Sequence, residues 1–135
     1  MVIVKIPRAV IDEIIAHARQ DAPNECCGLL IGRRDTIHRS YRAKNLEASP
    51  TRYLVDPADH FAAMRDARTE RLEVIGAYHS HPGSEPVPSA SDVAESVSGS
   101  RFLHLIVSLK QIDAPSYGAY LLKSDRVERV KLEER

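Results

Sequence analysis

The run Cys26-Cys27-Gly28-Leu29-Leu30-Ile31 is almost wholly apolar. A strand with one face in water alternates apolar and polar side chains, so an unbroken run predicts a strand over residues 26–31 buried on both faces. Each face of that strand needs a covering layer. The rest of the chain alternates segments that can provide them. Residues 2–6 read as a first strand, and Pro7 suits the first turn of a helix that puts Val10, Ile11, Ile14, Ile15 and Ala18 on one face and ends near Ala22. Residues 36–43 read as a hairpin partner for the buried strand, across Arg33, Arg34 and Asp35, and residues 53–55 as a short strand. Asp56 followed by Pro57 is a helix start, and Phe61, Met64, Leu72 and several alanines predict an amphipathic helix over residues 57–71. Strands are expected from Val74 into His79 and over residues 102–109, 117–122 and 127–132, with turns at Asp113-Ala114-Pro115 and Ser124-Asp125. The expected fold class is α/β, a mixed β-sheet flanked by helices.

The 135 residues fit one domain, 1–135, with enough core to need no disulfides. Nineteen basic residues balance nineteen acidic ones, which argues against nucleic acid or an anionic membrane as a partner recognised by bulk charge. No stretch approaches the roughly 18 apolar residues of a membrane span, and the N-terminal Met-Val-Ile-Val-Lys-Ile does not read as a signal peptide. A cytoplasmic location is the expectation. Cys26 and Cys27 are neighbours that would face opposite sides of a strand, so they read as small core residues and not as a bridge or a reactive pair. The residues from Lys131 to Arg135 mix charges and read as an exposed end.

Chemistry concentrates where the strand that starts at Val74 ends. His79 and His81 lie one residue apart, and residues i and i+2 of a strand point to the same side with Cα atoms roughly 7 Å apart, so both imidazoles can reach one ion. Pro82, Gly83, Pro86 and Pro88 turn the chain into a loop, after which Ser89 or Ser91 can cap a short helix over residues 92–97. Asp92 falls in its first turn. Two imidazoles and a carboxylate form the ligand set of a Zn²⁺ centre that keeps a fourth position for water, the mark of a catalytic site. The competing reading is a polar loop with solvated histidines. A hydrolytic metal centre also needs a base, for which Glu25 is the best candidate, although its position alone favours a solvent-exposed loop glutamate capping the end of the first helix. His104 reads as a core histidine, and His17, His38 and His60 as structural or solvated. Tyr78 should point away from the histidine pair and pack.

Pro23-Asn24-Glu25-Cys26-Cys27-Gly28-Leu29-Leu30-Ile31-Gly32, followed some fifty residues later by His79-Ser80-His81-Pro82 and Ser89-Ala90-Ser91-Asp92, resembles the JAMM metalloproteases, also called the JAB, MPN-plus or Mov34/MPN/PAD-1 family, in their short prokaryotic form. The resemblance implies an MPN/JAB-like fold with cytidine-deaminase-like layering and one Zn²⁺ ion with a bound water. It implies that His79, His81 and Asp92 are the metal ligands, that Glu25 is the general base, and that Ser89 steadies the oxyanion. Ser89 also suits a helix cap, and the two roles are compatible.

As substrate, the resemblance implies a peptide or isopeptide bond at the Gly-Gly C-terminal tail of a ubiquitin-like or sulfur-carrier protein. A glycine-rich tail could add to an exposed sheet edge by main-chain hydrogen bonds. The chain lacks room for the long insertions with which eukaryotic relatives grip ubiquitin chains. A broad metallohydrolase of small peptides or amides is the alternative, and a non-catalytic MPN-type binding module is disfavoured because all the ligands are retained. Nucleobase deaminases carry His-x-Glu and Pro-Cys-x-x-Cys, and a second zinc peptidase class carries His-Glu-x-x-His. None of these occurs in the chain.

Overall fold

The structure, a computed structural model, describes residues 2–94, 101–123 and 126–135. The elements run β1 (Ile3–Ile6), α1 (Arg8–Asp21), β2 (Cys27–Arg33), β3 (Thr36–Ala43), α2 (Pro57–Thr69), β4 (Glu73–His81), α3 (Ala90–Ala94), β5 (Leu103–Ser108), β6 (Ser116–Leu122) and β7 (Val127–Glu134). The expected tail of the short helix beyond residue 94 and the expected turn at Ser124-Asp125 lie outside the described residues.

The sheet is mixed, and it closes on itself in the order β1-β3-β2-β4-β5-β6-β7, with β7 parallel to β1. Closure depends on the charged C-terminal end. Lys131 pairs with Ile3 and Glu134 with Ile6, so those residues are a strand and not the exposed end that their charges suggested. Their side chains are mostly exposed, but sheet pairing is made by the backbone, which the charge pattern does not report. β4, which ends in the histidine pair, is flanked by β2 and β5, while β3 runs on past its β1 register partner at Thr36 and β6 runs on past Ala119, where its pairing with β7 stops.

The strand at β2 is buried on both faces, as its composition demanded. Leu30 joins Val10, Ile11, Ile14 and Ala18 of α1 and the inward residues of the other strands, while Cys27, Leu29 and Ile31 pack on the outer side with Ala63 and Ala67 of α2. Cys26 and Cys27 are fully buried and fall in different clusters, and burial pushes both thiols up to about 12. They stay protonated and pack. Gly28 is required by close approach, because a Cβ there would lie 2.2 Å from Tyr78 Cε2 and 2.5 Å from the Tyr41 carbonyl oxygen.

Two local expectations fail for physical reasons. α2 seats Ala63 and Ala67 on the sheet and leaves Phe61 60% exposed, because small side chains let the helix approach closely and Phe61 lies about 200° round the helix from Ala63. The helix ends at Thr69, with Arg71 in the left-handed region at φ 59°, and Leu72 packs from beyond it. Residues 53–55 form no strand. Only Val55 bridges, to Asn45, and the Asn45 side chain takes up the Arg52 carbonyl and the Leu54 amide in place of a ladder.

Candidate active site

β4 carries His79 and His81 at its C-terminal end, on the same face as Ala77, the side that packs toward α2. Antiparallel pairing of β2 with β4 sets Cys27 opposite His79. The same register carried two residues outward brings Glu25, just before β2, beside His81. Glu25 is therefore not the exposed loop residue its position allowed. It is 3% exposed, and its carboxylate lies with the two imidazoles in a group whose ligand atoms are all within 4.8 Å of one another.

Asp92 reaches the same point by capping. Asp92 N donates to Ser89 Oγ at 3.1 Å while Ser89 N donates back to Asp92 Oδ2 at 2.8 Å, a reciprocal cap that turns the Asp92 carboxylate toward β4. Its Oδ2 lies 3.1 Å from His79 Nε2 and 3.2 Å from His81 Nε2, and the two nitrogens are 3.2 Å apart. Ligands about 2.0–2.1 Å from a tetrahedral Zn²⁺ would be separated by roughly 3.3–3.4 Å, so these three atoms fit one small divalent cation with little movement. His81 Nδ1 lies 2.8 Å from the Glu85 carbonyl, which can only accept. The proton of a neutral ring therefore sits on Nδ1, and the Nε2 lone pair faces the cluster.

Glu25 Oε1 is the one buried side-chain oxygen or nitrogen among the described residues without a hydrogen-bond partner. A buried carboxylate oxygen left unpaired beside a ligand cluster fits a group that completes its interactions only when the site is loaded. Burial pushes Glu25 up to about 7, against the pull of the His81 charge and with the help of Asp92. Asp92 goes the other way. Burial opposes its ionisation, but hydrogen bonds with His79, His81 and the Ser89 amide hold its carboxyl well below the usual range. His79 is lowered, chiefly by burial. For His81 burial also works against the charge but is outweighed by Asp92, the Glu85 carbonyl and Glu25, so it is raised. Two carboxylates in one site, one poised near neutrality and one firmly ionised, are suited to different tasks.

Ser89 Oγ accepts from Asp92 N and lies 3.1 Å from Ser91 Oγ. With Ser91 as the donor of that contact, the Ser89 hydroxyl keeps its own hydrogen for a third partner. Tyr78 points to the opposite face, is buried, and its hydroxyl meets His17 Nδ1 at 2.7 Å. His17 is structural, and burial lowers its pKa. Burial also lowers His104, to about 4.

Two residues at the site escaped the sequence reading. The Tyr53 ring stacks on His79, with centroids 4.2 Å apart and planes 19° apart, and Asn45 bonds the Glu25 carbonyl at 3.0 Å. Asn45 had a legible signal as a turn-forming residue just after a strand. Nothing in the pattern announced Tyr53.

The mixed sheet flanked by helices, with a converging donor set at the end of β4 that suits a metal ion, places the protein among α/β domains. Comparison with known proteins makes the family explicit: residues 7–120 match the family described as prokaryotic homologs of the JAB domain, Prok-JAB, and the chain belongs to it. It is 36% identical over 104 residues to a desampylase of Haloferax volcanii, covering 72% of this chain and 74% of that protein. To a protein of Thermus thermophilus named as a probable TtuB-protein conjugate cleaving protease it is 37% identical over 91 residues, 67% of this chain and 61% of that one. A CysO-cysteine peptidase of Mycobacterium tuberculosis is 39% identical over 89 residues, 62% of this chain and 59% of its own length. The chain thus spans about three-fifths of two of these relatives. Among solved structures, protein DSY2949 of Desulfitobacterium hafniense superposes with a TM-score of 0.88 at 35% identity, over 98% of this chain and 92% of that one. A JAB1/MPN domain protein of Archaeoglobus fulgidus shares the fold, with a TM-score of 0.62 at 23% identity over 97% of this chain and 98% of its own. No helix among the described residues is long and apolar enough to cross a membrane.

Proposed function

We propose that residues 1–135 act as a single zinc-dependent metallopeptidase domain that hydrolyses the amide bond, peptide or isopeptide, after the Gly-Gly C-terminal tail of a ubiquitin-like or sulfur-carrier protein. The observation that carries this reading is the unpartnered, buried Glu25 Oε1 beside the His79, His81 and Asp92 cluster. The relatives named for TtuB-conjugate and CysO cleavage support the substrate class.

In this reading His79 Nε2, His81 Nε2 and Asp92 Oδ2 hold the ion, and Glu25 stays outside the ligand set. A Zn²⁺ ion there supplies Lewis-acid polarisation of the scissile carbonyl and lowers the pKa of a water toward about 7. Glu25 does the proton work. With a pKa raised to about 7 by burial, its carboxylate accepts the proton of the attacking water and passes it to the leaving amine nitrogen, and neither transfer is strongly uphill near neutrality. The Ser89 hydroxyl donates to the oxyanion of the tetrahedral intermediate, a contribution of about 3 kcal/mol when such a donor is preorganised. The Glu85 carbonyl keeps His81 in the tautomer the ion requires. β4 lies between β2 and β5, so the tail approaches over the open end of the strand, between residues 44–56 and the loop of residues 82–89.

The test uses the zinc-loaded protein and several sulfur-carrier proteins extended by one residue, or by an amide adduct, after Gly-Gly. Mass spectrometry is expected to find carrier ending in Gly-Gly. No release from any of them would overturn the substrate assignment. Equal turnover of unrelated short peptides would replace it with a broad peptidase.

A further inference from the structure

The segment between β3 and α2, residues 44–56, has no regular structure, yet it touches the site at two points. Glu25 N donates to the Ser49 carbonyl at 2.8 Å, and Asn45 Nδ2 donates to the Glu25 carbonyl at 3.0 Å, so both backbone groups of Glu25 are held by this segment. At its other end the Tyr53 ring lies on the His79 ring at 4.2 Å.

Asn45 ties the two points together. Its Nδ2 also donates to the Arg52 carbonyl at 3.1 Å, and its Oδ1 accepts from Glu47 N and Leu54 N, both at 3.0 Å. An amide side chain offers two donor hydrogens and two acceptor lone pairs, and all four are used. The bonds at Arg52 and Leu54 bracket Tyr53, fixing the backbone on either side of the ring. Ala48 is held in the left-handed region at φ 45°, where an alanine goes only when its surroundings require it.

From this we infer that Asn45 is a positioning residue of the active centre: its amide knots residues 44–56 into a clasp that sets the Glu25 backbone on one side and the His79 ring, through Tyr53, on the other. Neither Asn45 nor Tyr53 touches the reacting atoms. Stacking fixes the plane of His79, which Asp92 and a metal need in one orientation, and partners that orient a ligand commonly affect metal affinity 10- to 100-fold. Fixing the Glu25 backbone limits the arc through which its carboxylate swings, a requirement of positioned proton transfer. The Glu25 half of the inference rests on the proposed amide hydrolysis, and the His79 half does not.

Asn45→Asp keeps the two accepted bonds and loses the two donated ones, so it tests the knot with little change of shape. Zn²⁺ affinity is measured by competition with a chromophoric chelator, and kcat and KM on the extended carrier at saturating zinc. The expected result for Asn45→Asp is a Zn²⁺ Kd raised about 10-fold and a kcat lowered about 10-fold, with KM within about twofold. Tyr53→Leu should raise the Zn²⁺ Kd by a similar factor, while Tyr53→Phe, which keeps the ring, should hold it within about threefold. Asn45→Asp leaving the affinity within twofold of wild type would overturn the clasp, as would Tyr53→Phe losing as much affinity as Tyr53→Leu. The affinity measurements need no substrate, so they decide the clasp even if the carrier is not cleaved. The Tyr53 pair decides it if Asn45→Asp does not fold.

Discussion

Replacing Glu25 by glutamine should make the metal-free protein more stable while stopping turnover. Glu25 is buried, one of its oxygens has no partner, and its pKa is raised from 4.5 to about 7, first by burial and then by Asp92 against the His81 charge. At about 1.4 kcal/mol per pH unit, a gap of that size means that ionised Glu25 costs the fold about 3 kcal/mol, and an allowance for solvent screening leaves about 2–3 kcal/mol. The sign sets the pH dependence. Below 4.5 both folded and unfolded chains carry a protonated Glu25 and the penalty is absent. As pH rises the unfolded chain ionises first, so the penalty grows and is complete above about 7. Urea unfolding of chelator-treated protein should therefore find Glu25→Gln more stable than wild type by about 2–3 kcal/mol at pH 8, roughly 6–15 °C in Tm, with the difference largely gone at pH 4.5. A bound dication favours the carboxylate, so zinc should shrink the gain. Turnover should fall by at least about 100-fold with zinc content unchanged. A variant less stable than wild type at pH 8, or a difference independent of pH, would refute the argument that Glu25 is a strained, uncompensated charge.

His79→Ala removes an imidazole from the centre of the cluster, and elemental analysis after dialysis should find zinc below about one-tenth of an equivalent, against about one for wild type. Tyr78→Phe leaves buried His17 Nδ1 without its 2.7 Å partner and should cost about 1–3 kcal/mol in urea unfolding. His17 is lowered by burial, so it supports the fold above its ordinary value of 6.5, and that support drains away as pH falls through the folded-state value. Between pH 7.5 and 5.5 wild type should accordingly lose more stability than His17→Gln, and equal losses would contradict a buried neutral imidazole. Gly28→Ala forces a Cβ against Tyr78 and the Tyr41 carbonyl and should cost at least about 1–3 kcal/mol by thermal unfolding, with no relief from a simple side-chain rotation because one of the clashing atoms is backbone.

The sequence was most informative where the physics is local. A two-residue period puts His79 and His81 on one side of a strand whatever that strand pairs with, and the apolar run in β2 demands cover on both faces in any fold that contains it. The hairpin partner Thr36–Ala43 and the start of α2 at Pro57 follow from turn and capping chemistry written within a few residues. Phe61 marks the limit of such reading, because hydrophobicity alone could not reveal that α2 would come close enough to the sheet for only alanines to fit beneath it.

Tertiary structure decided what the histidine pair belongs to. Glu25 lies more than fifty residues before His81, and only the β2–β4 register brings them together and buries a carboxylate that local sequence favoured leaving in water. Closure of the sheet through the charged residues of β7 was invisible for the same reason: strand pairing is chosen by backbone hydrogen bonds between distant segments, to which side-chain character is a weak guide. The clasp of Asn45 and Tyr53 is a third instance, an irregular segment whose order comes from one side chain bonding across it. The sequence by itself determined which donor atoms the protein has and that two of them share a face. Long-range pairing decided that the Glu25 carboxylate would meet them, because the entropy of closing loops of tens of residues is recovered only when the whole sheet forms.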